Sequence, residues 1–212
     1  SLSVFVAIVF ATTLAMNLVR KNTTLIGLYL VQSLALAAAL VAISASAGTP
    51  GLLAAAFLTF LVKAVMAPIF LFRLVRKYSA HFSAASYLST PLALLALALI
   101  TTFSYLFLSP AFGSAGPAAG ASLLFASIFG TLFLMINRRG ALAAVVGVLA
   151  LENGIVLLAA ALGVEHSFAL EFAITFDIAV WIAVAGGFLG MMYRQFGTID
   201  DAALALSTLT EE

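Results

Sequence analysis

Seven apolar runs, each close to twenty residues long and parted by short polar connections, constrain this chain more than any other feature. A helix rises 1.5 Å per residue, so about 20 apolar residues cross a hydrocarbon layer of about 30 Å. Runs of this length read as membrane-spanning helices. Composition carries the same message: 65% of the 212 residues are hydrophobic and 8% charged, with a mean hydropathy of +1.24. A water-soluble domain is nearer half apolar and a quarter charged. The expectation is an all-α, multi-pass membrane bundle of about seven transmembrane helices, facing a lipid bilayer and lacking a globular domain.

The punctuation fixes the runs. They read Leu2–Val19, Thr24–Ala47, Leu52–Val75, Ala84–Leu108, Ala118–Ile136, Ala141–Leu162 and Phe168–Tyr193, followed by a polar tail with Asp200, Asp201, Glu211 and Glu212. The first has no basic stretch before it and no small-residue cleavage pattern after it, so it reads as a span and not a signal peptide. Arg20 and Lys21, then Arg73, Arg76 and Lys77, then Arg138 and Arg139, then Arg194 stand at alternate connections, and the others carry no Lys or Arg. Seven spans put all these cations on one side, which the positive-inside rule makes cytoplasmic. The expected topology is N-terminus out and C-terminus in, in a cytoplasmic (inner) membrane.

Net charge is +1, which gives no reason to expect nucleic acid. With no cysteine, a disulfide framework, a thiolate zinc site and an iron–sulfur cluster are excluded within this chain. His81 and His166 lie at or beyond run ends, with no second metal ligand in view.

Chemistry therefore rests on the few ionisable residues inside the runs. Lys63 stands about twelve residues from either end of the third run, too deep to snorkel easily. Glu152 is near the middle of the sixth run, and Asp177 lies about ten residues into the seventh. Each costs roughly 2.5–3.5 kcal/mol at a helix centre on insertion scales, so each needs a partner or water. Two readings stand: a structural ion pair or triad that locks helices, or a proton or ion path. Glu171, close to the outer boundary, reads as interfacial. Tyr29, Gln32 and Ser33 share one helix face, and Asn153 adjoins Glu152; these serve either the path or plain helix–helix hydrogen bonding. Pro68, just beyond Lys63, should loosen the third helix where the cation sits.

An internal duplication is also legible. Superposing Gly27 on Gly147 places Gln32 on Glu152 and Ser33 on Asn153, with Lys63 and Asp177 in loosely corresponding spans. This divides the chain into a three-helix unit at 1–78, a linker helix and loop at 79–117, a second three-helix unit at 118–198 and a cytoplasmic tail at 199–212. Both units begin on the outer side, so the repeat is parallel.

Tyr29-x-x-Gln-Ser, Lys63-x-x-x-x-Pro68, Glu152-Asn-Gly, Asp177 and the closing Gly197-Thr-Ile-Asp-Asp after Arg194 together resemble the hydrogenase-4 component E family over nearly the whole chain. The last three spans and the tail also look like the three-helix NuoK subunit of respiratory complex I and its MrpC relative in cation/proton antiporters. In NuoK the second and third helices each carry a glutamate on the proton route. Asp177 stands near the third-helix position. Leu149 aligns with the second-helix glutamate, Glu152 lies one turn away, and Tyr29 takes the corresponding place in the first unit.

The resemblance implies a non-catalytic membrane-arm subunit of a multisubunit, complex-I-related membrane-bound hydrogenase, for example of the formate hydrogenlyase kind. It would hold no cofactor itself; a nickel–iron centre and iron–sulfur clusters would belong to partner subunits of the oxidoreductase complex. Partners would be antiporter-like and complex-I-type membrane-anchor subunits and, through them, a soluble hydrogenase module. The ion-path candidates are Lys63, Glu152, Asp177, Gln32, Tyr29 and Asn153. Two alternatives stay open: a NuoK/MrpC-like subunit of a cation/proton antiporter, and a structural membrane scaffold.

Overall fold

A computed structural model of the chain describes residues 2–48, 50–77, 86–112 and 118–162, with Gly186, Gly187 and Gly190. The described elements are helices: α1 (Leu2–Leu18), α2 (Asn22–Ala47), α3 (Pro50–Thr59), a π-helical segment (Phe60–Met66), α4 (Ala67–Lys77), α5 (Thr90–Phe112), α6 (Ala118–Asn137) and α7 (Ala141–Ala161). Five rods are long and apolar enough to cross a membrane, with α3, the π segment and α4 forming one of them, and α1 is a shorter apolar sixth. Such a set is compatible with a multi-pass membrane protein. The seventh run lies outside the described residues apart from three helical glycines, of which Gly186 sets its backbone against the Phe70 ring.

The expected runs and the helices coincide closely for α1, α2, α6 and α7. The fourth differs. Its expected span began at Ala84, whereas α5 begins at Thr90 and continues through the expected loop residues Ser109 and Pro110 to Phe112. The late start has a local cause. The Tyr87 and Leu88 amides donate to the Asn137 backbone and side-chain oxygens at 2.9 Å, holding this stretch extended along the end of α6. Pro91 then falls in the first turn of α5, where its missing N–H costs nothing.

Two turns need glycine. Gly48 closes α2 at φ 66°, returning its amide to the Ser44 carbonyl at 2.9 Å, and Gly140 enters α7 at φ 126°.

Short connections make neighbouring rods antiparallel. α1 packs on α2 and α6, and α7 packs on α2 and α6, so these four form the centre of the bundle. The π-bearing rod lies against α2. Close approach relies on small residues, as expected where lipid supplies no hydrophobic drive between helices. A Cβ on Gly130 would stand 3.0 Å from Thr13 Cγ2, and one on Gly147 would strike Met135. Two apolar cores result. One, around Met16, Leu25, Ile26, Leu71, Leu134 and Val146, lies toward the arginine-bearing end; the other, around Val9, Leu36, Leu40, Leu124 and Leu157, lies toward the opposite end. α5 is peripheral: only 17% of its apolar window is buried.

Candidate functional site

The polar groups lie between those two cores. Lys63 belongs to the π-helical segment, where the Ala67 amide reaches back five residues to the Val62 carbonyl. Pro68 explains why the helix widens here. It has no amide to continue the ladder, and its ring would crowd the carbonyl four residues before it, so an extra residue in the preceding turn relieves the clash. Lys63, within this segment, is buried in the bundle interior.

The Lys63 ammonium meets the Glu152 carboxylate, Nζ to Oε1, at 2.8 Å. The two ends differ in environment: the Lys63 side chain is 2% exposed and that of Glu152 20%. Tyr29, wholly buried on α2, lies within interaction range of Ser33 and Glu152. The Asn153 amide donates to Ser33 Oγ at 3.0 Å across the α2–α7 contact, so two residues that the sequence repeat makes equivalent bond to each other. On the other side of α2, Gln32 Nε2 donates to Thr13 Oγ1 at 3.1 Å, and Thr13 donates in turn to the Val9 carbonyl at 2.9 Å. Asn17 extends the row, donating to the Thr13 carbonyl at 2.9 Å and the Gly130 carbonyl at 3.1 Å.

A lateral polar row thus crosses the bundle from α1 through α2 and α7 to the π segment. Its buried members include the acceptors Gln32 Oε1 and Asn153 Oδ1, which have no hydrogen-bond partner among the described residues, as is also true of the buried Thr59 hydroxyl one turn before Lys63. Buried acceptors of this kind are ordinarily satisfied, often by an internal water with two to four polar neighbours.

Five of the six residues expected from sequence therefore meet in one layer: Lys63, Glu152, Tyr29, Gln32 and Asn153. Asp177 lies outside the described residues, as do Glu171, His81 and His166. Sequence reading missed Thr13, Asn17 and Thr59. The signal was present for the first two, since Thr13 and Asn17 are one turn apart in a largely apolar run.

Arg138 was also missed as a buried residue. Expected at the interface with Arg139, it is only 6% exposed, and its Nη2 donates to the Met16 carbonyl at 3.2 Å and the Asn17 carbonyl at 3.5 Å. It thereby covers the carboxyl end of α1, where a cation is favourable. Burial, and then the neighbouring Arg20 charge, push its guanidinium below the ordinary arginine range. Arg139 instead stacks over the Tyr87 ring at 4.3 Å. No family model, curated protein or solved structure matches the chain.

Proposed function

We propose that the chain is a membrane-arm subunit of a complex-I-related, membrane-bound hydrogenase, contributing part of the path along which protons or ions cross. The observation that carries this reading is the Lys63–Glu152 contact at 2.8 Å, set on a π-helical distortion within a lateral row of polar side chains. A cation and a carboxylate in low dielectric are strongly coupled: at an effective dielectric of about 20, two unit charges 4 Å apart interact by about 4 kcal/mol. Placing a proton on Glu152 removes the attraction that holds Lys63. A proton arriving at or leaving one group therefore changes the affinity of the next.

In this scheme the Glu152 carboxylate accepts a proton from one neighbour in the row and passes it to another. Lys63, in contact at 2.8 Å, sets how tightly that proton is held. Asp177 supplies the following carboxylate. Gln32, Asn153 and Tyr29 orient the water that connects them. The partial exposure of Glu152 beside a fully buried Lys63 favours exchange at the carboxylate. The π segment supports the same reading, because such distortions concentrate at functional sites.

Redox chemistry belongs to partner subunits, which hold the nickel–iron and iron–sulfur centres, and this chain is not an enzyme alone. The arginine-bearing end faces the cytoplasm, with the N-terminus outside, in the inner membrane. The experiment is purification of the chain from its native membrane with associated proteins, identified by mass spectrometry. A hydrogenase large subunit beside antiporter-like and membrane-anchor subunits is the expected set. Antiporter subunits without any hydrogenase component would replace this reading with the antiporter one.

A further inference from the structure

The arginine-bearing end of the bundle holds a cavity of about 350 Å³ that meets the polar row only at Asn17. Arg20 and Arg138 line it together with Ser86, Ser89, Thr90 and Asn137. Three positive sources converge there. Arg138 is more than nine-tenths buried; its Nη2 is engaged by α1 carbonyls, while its Nε has no hydrogen-bond partner among the described residues. Arg20 is close enough to act electrostatically on Arg138. The first turn of the 23-residue helix α5 adds the positive end of its dipole, with Ser89, Thr90 and Ala93 on the cavity wall.

Two like charges beside a helix amino terminus repel one another unless an anion lies between them. No carboxylate lines the cavity among the described residues, where Glu152 is committed to Lys63 at the middle of the bundle. Guanidinium groups match a tetrahedral oxyanion in both charge and hydrogen-bond geometry. The Ser89 and Thr90 hydroxyls in the lining add to the donor set. We propose that this cavity binds a phosphate group, held by Arg20, Arg138 and the first turn of α5. The phosphate comes from an anionic phospholipid headgroup or from free phosphate, and basic pockets between transmembrane helices are known to take the former.

The test uses the full chain within its native assembly. The melting midpoint is measured in nanodiscs of phosphatidylcholine with or without phosphatidylglycerol, and in neutral detergent with inorganic phosphate or chloride at equal ionic strength. Phospholipid retained by the detergent-purified assembly is identified by mass spectrometry. The variants are Arg20→Gln, at an exposed position outside the core, and Arg76→Gln, an exposed cation remote from the cavity lining. Stabilisation and retention by phosphatidylglycerol identify a headgroup; stabilisation by inorganic phosphate identifies the free anion. In either case Arg20→Gln should weaken the apparent affinity about tenfold and Arg76→Gln should leave it unchanged. Equal loss in both variants would reduce the effect to general surface charge and overturn the proposal. So would no response to either probe, or release of the response only when Asp200 and Asp201 are changed to Asn, which would make a tail carboxylate the occupant.

Discussion

Lys63 and Glu152 are each expensive in a low-dielectric layer and inexpensive together. In a purely structural pair, removing one partner would leave a stranded charge at a cost of about 3–5 kcal/mol, whereas an ion path brings water to the partly exposed Glu152 end and lessens that cost. The neutral contacts beside it are worth less. Asn153→Leu removes the hydrogen bond to Ser33 between α2 and α7, and should lower stability by about 0.6 kcal/mol and at most about 2. Unfolding of the purified assembly in graded denaturing detergent measures that change; a loss near the ion-pair value would mean that Asn153 also holds Glu152. The charges were legible in the sequence because an ionisable residue deep in an apolar run has few tolerable explanations. Thr13 and Asn17 were not, because threonine and asparagine can satisfy themselves on their own helix, and only Gln32 and Gly130 reveal what they serve. Arg138 was misjudged for a related reason. An arginine at a run end ordinarily reaches for water, whereas here it turns back over the α1 carbonyls.

Helix boundaries followed from charge and proline, but the interior of the third rod did not. Pro68 predicted a loosened turn at Lys63, and the loosening takes the form of seven π-helical residues, Phe60–Met66. Sequence alone cannot say whether such a defect becomes a kink, a break or a widened turn, since neighbouring helices decide how freed backbone groups are satisfied. Pro68→Ala restores the missing amide and removes the steric reason for the π turn. It should lower both the melting midpoint and the proton-coupled activity, because closing the π turn draws Lys63 away from Glu152 and strands two buried charges. A variant with unaltered coupling would show that the distortion only accommodates the proline. The start of α5 was illegible because the Tyr87 and Leu88 amides are bound by Asn137, a residue far along the chain.

At the scale of the molecule, the apolar character and the helical class of the described residues were plain from composition and run length, while the expected seventh run falls almost wholly outside the described residues. Reporter fusions after Tyr78 and Arg139 should read cytoplasmic and fusions at Ala115 or Val164 external; a cytoplasmic signal from Ala115 would overturn the seven-span topology. The peripheral α5 exposes Leu95, Leu99, Phe103, Tyr105 and Phe107 along its length, a surface suited to lipid or to another membrane subunit. The account stands or falls on the ion pair within the native assembly. Glu152→Gln preserves shape and hydrogen bonding but cannot carry a proton, and Lys63→Met with Glu152→Gln removes both charges. Assembly yield and coupled proton movement are measured side by side for wild type, Glu152→Gln and the double variant. The account predicts that Glu152→Gln assembles and loses coupling by at least about tenfold, and that the double variant assembles but does not recover it. Full coupling in a well-assembled Glu152→Gln complex would contradict the account, as would assembly lost in the single variant with assembly and coupling both restored in the double one, the signature of a purely structural pair.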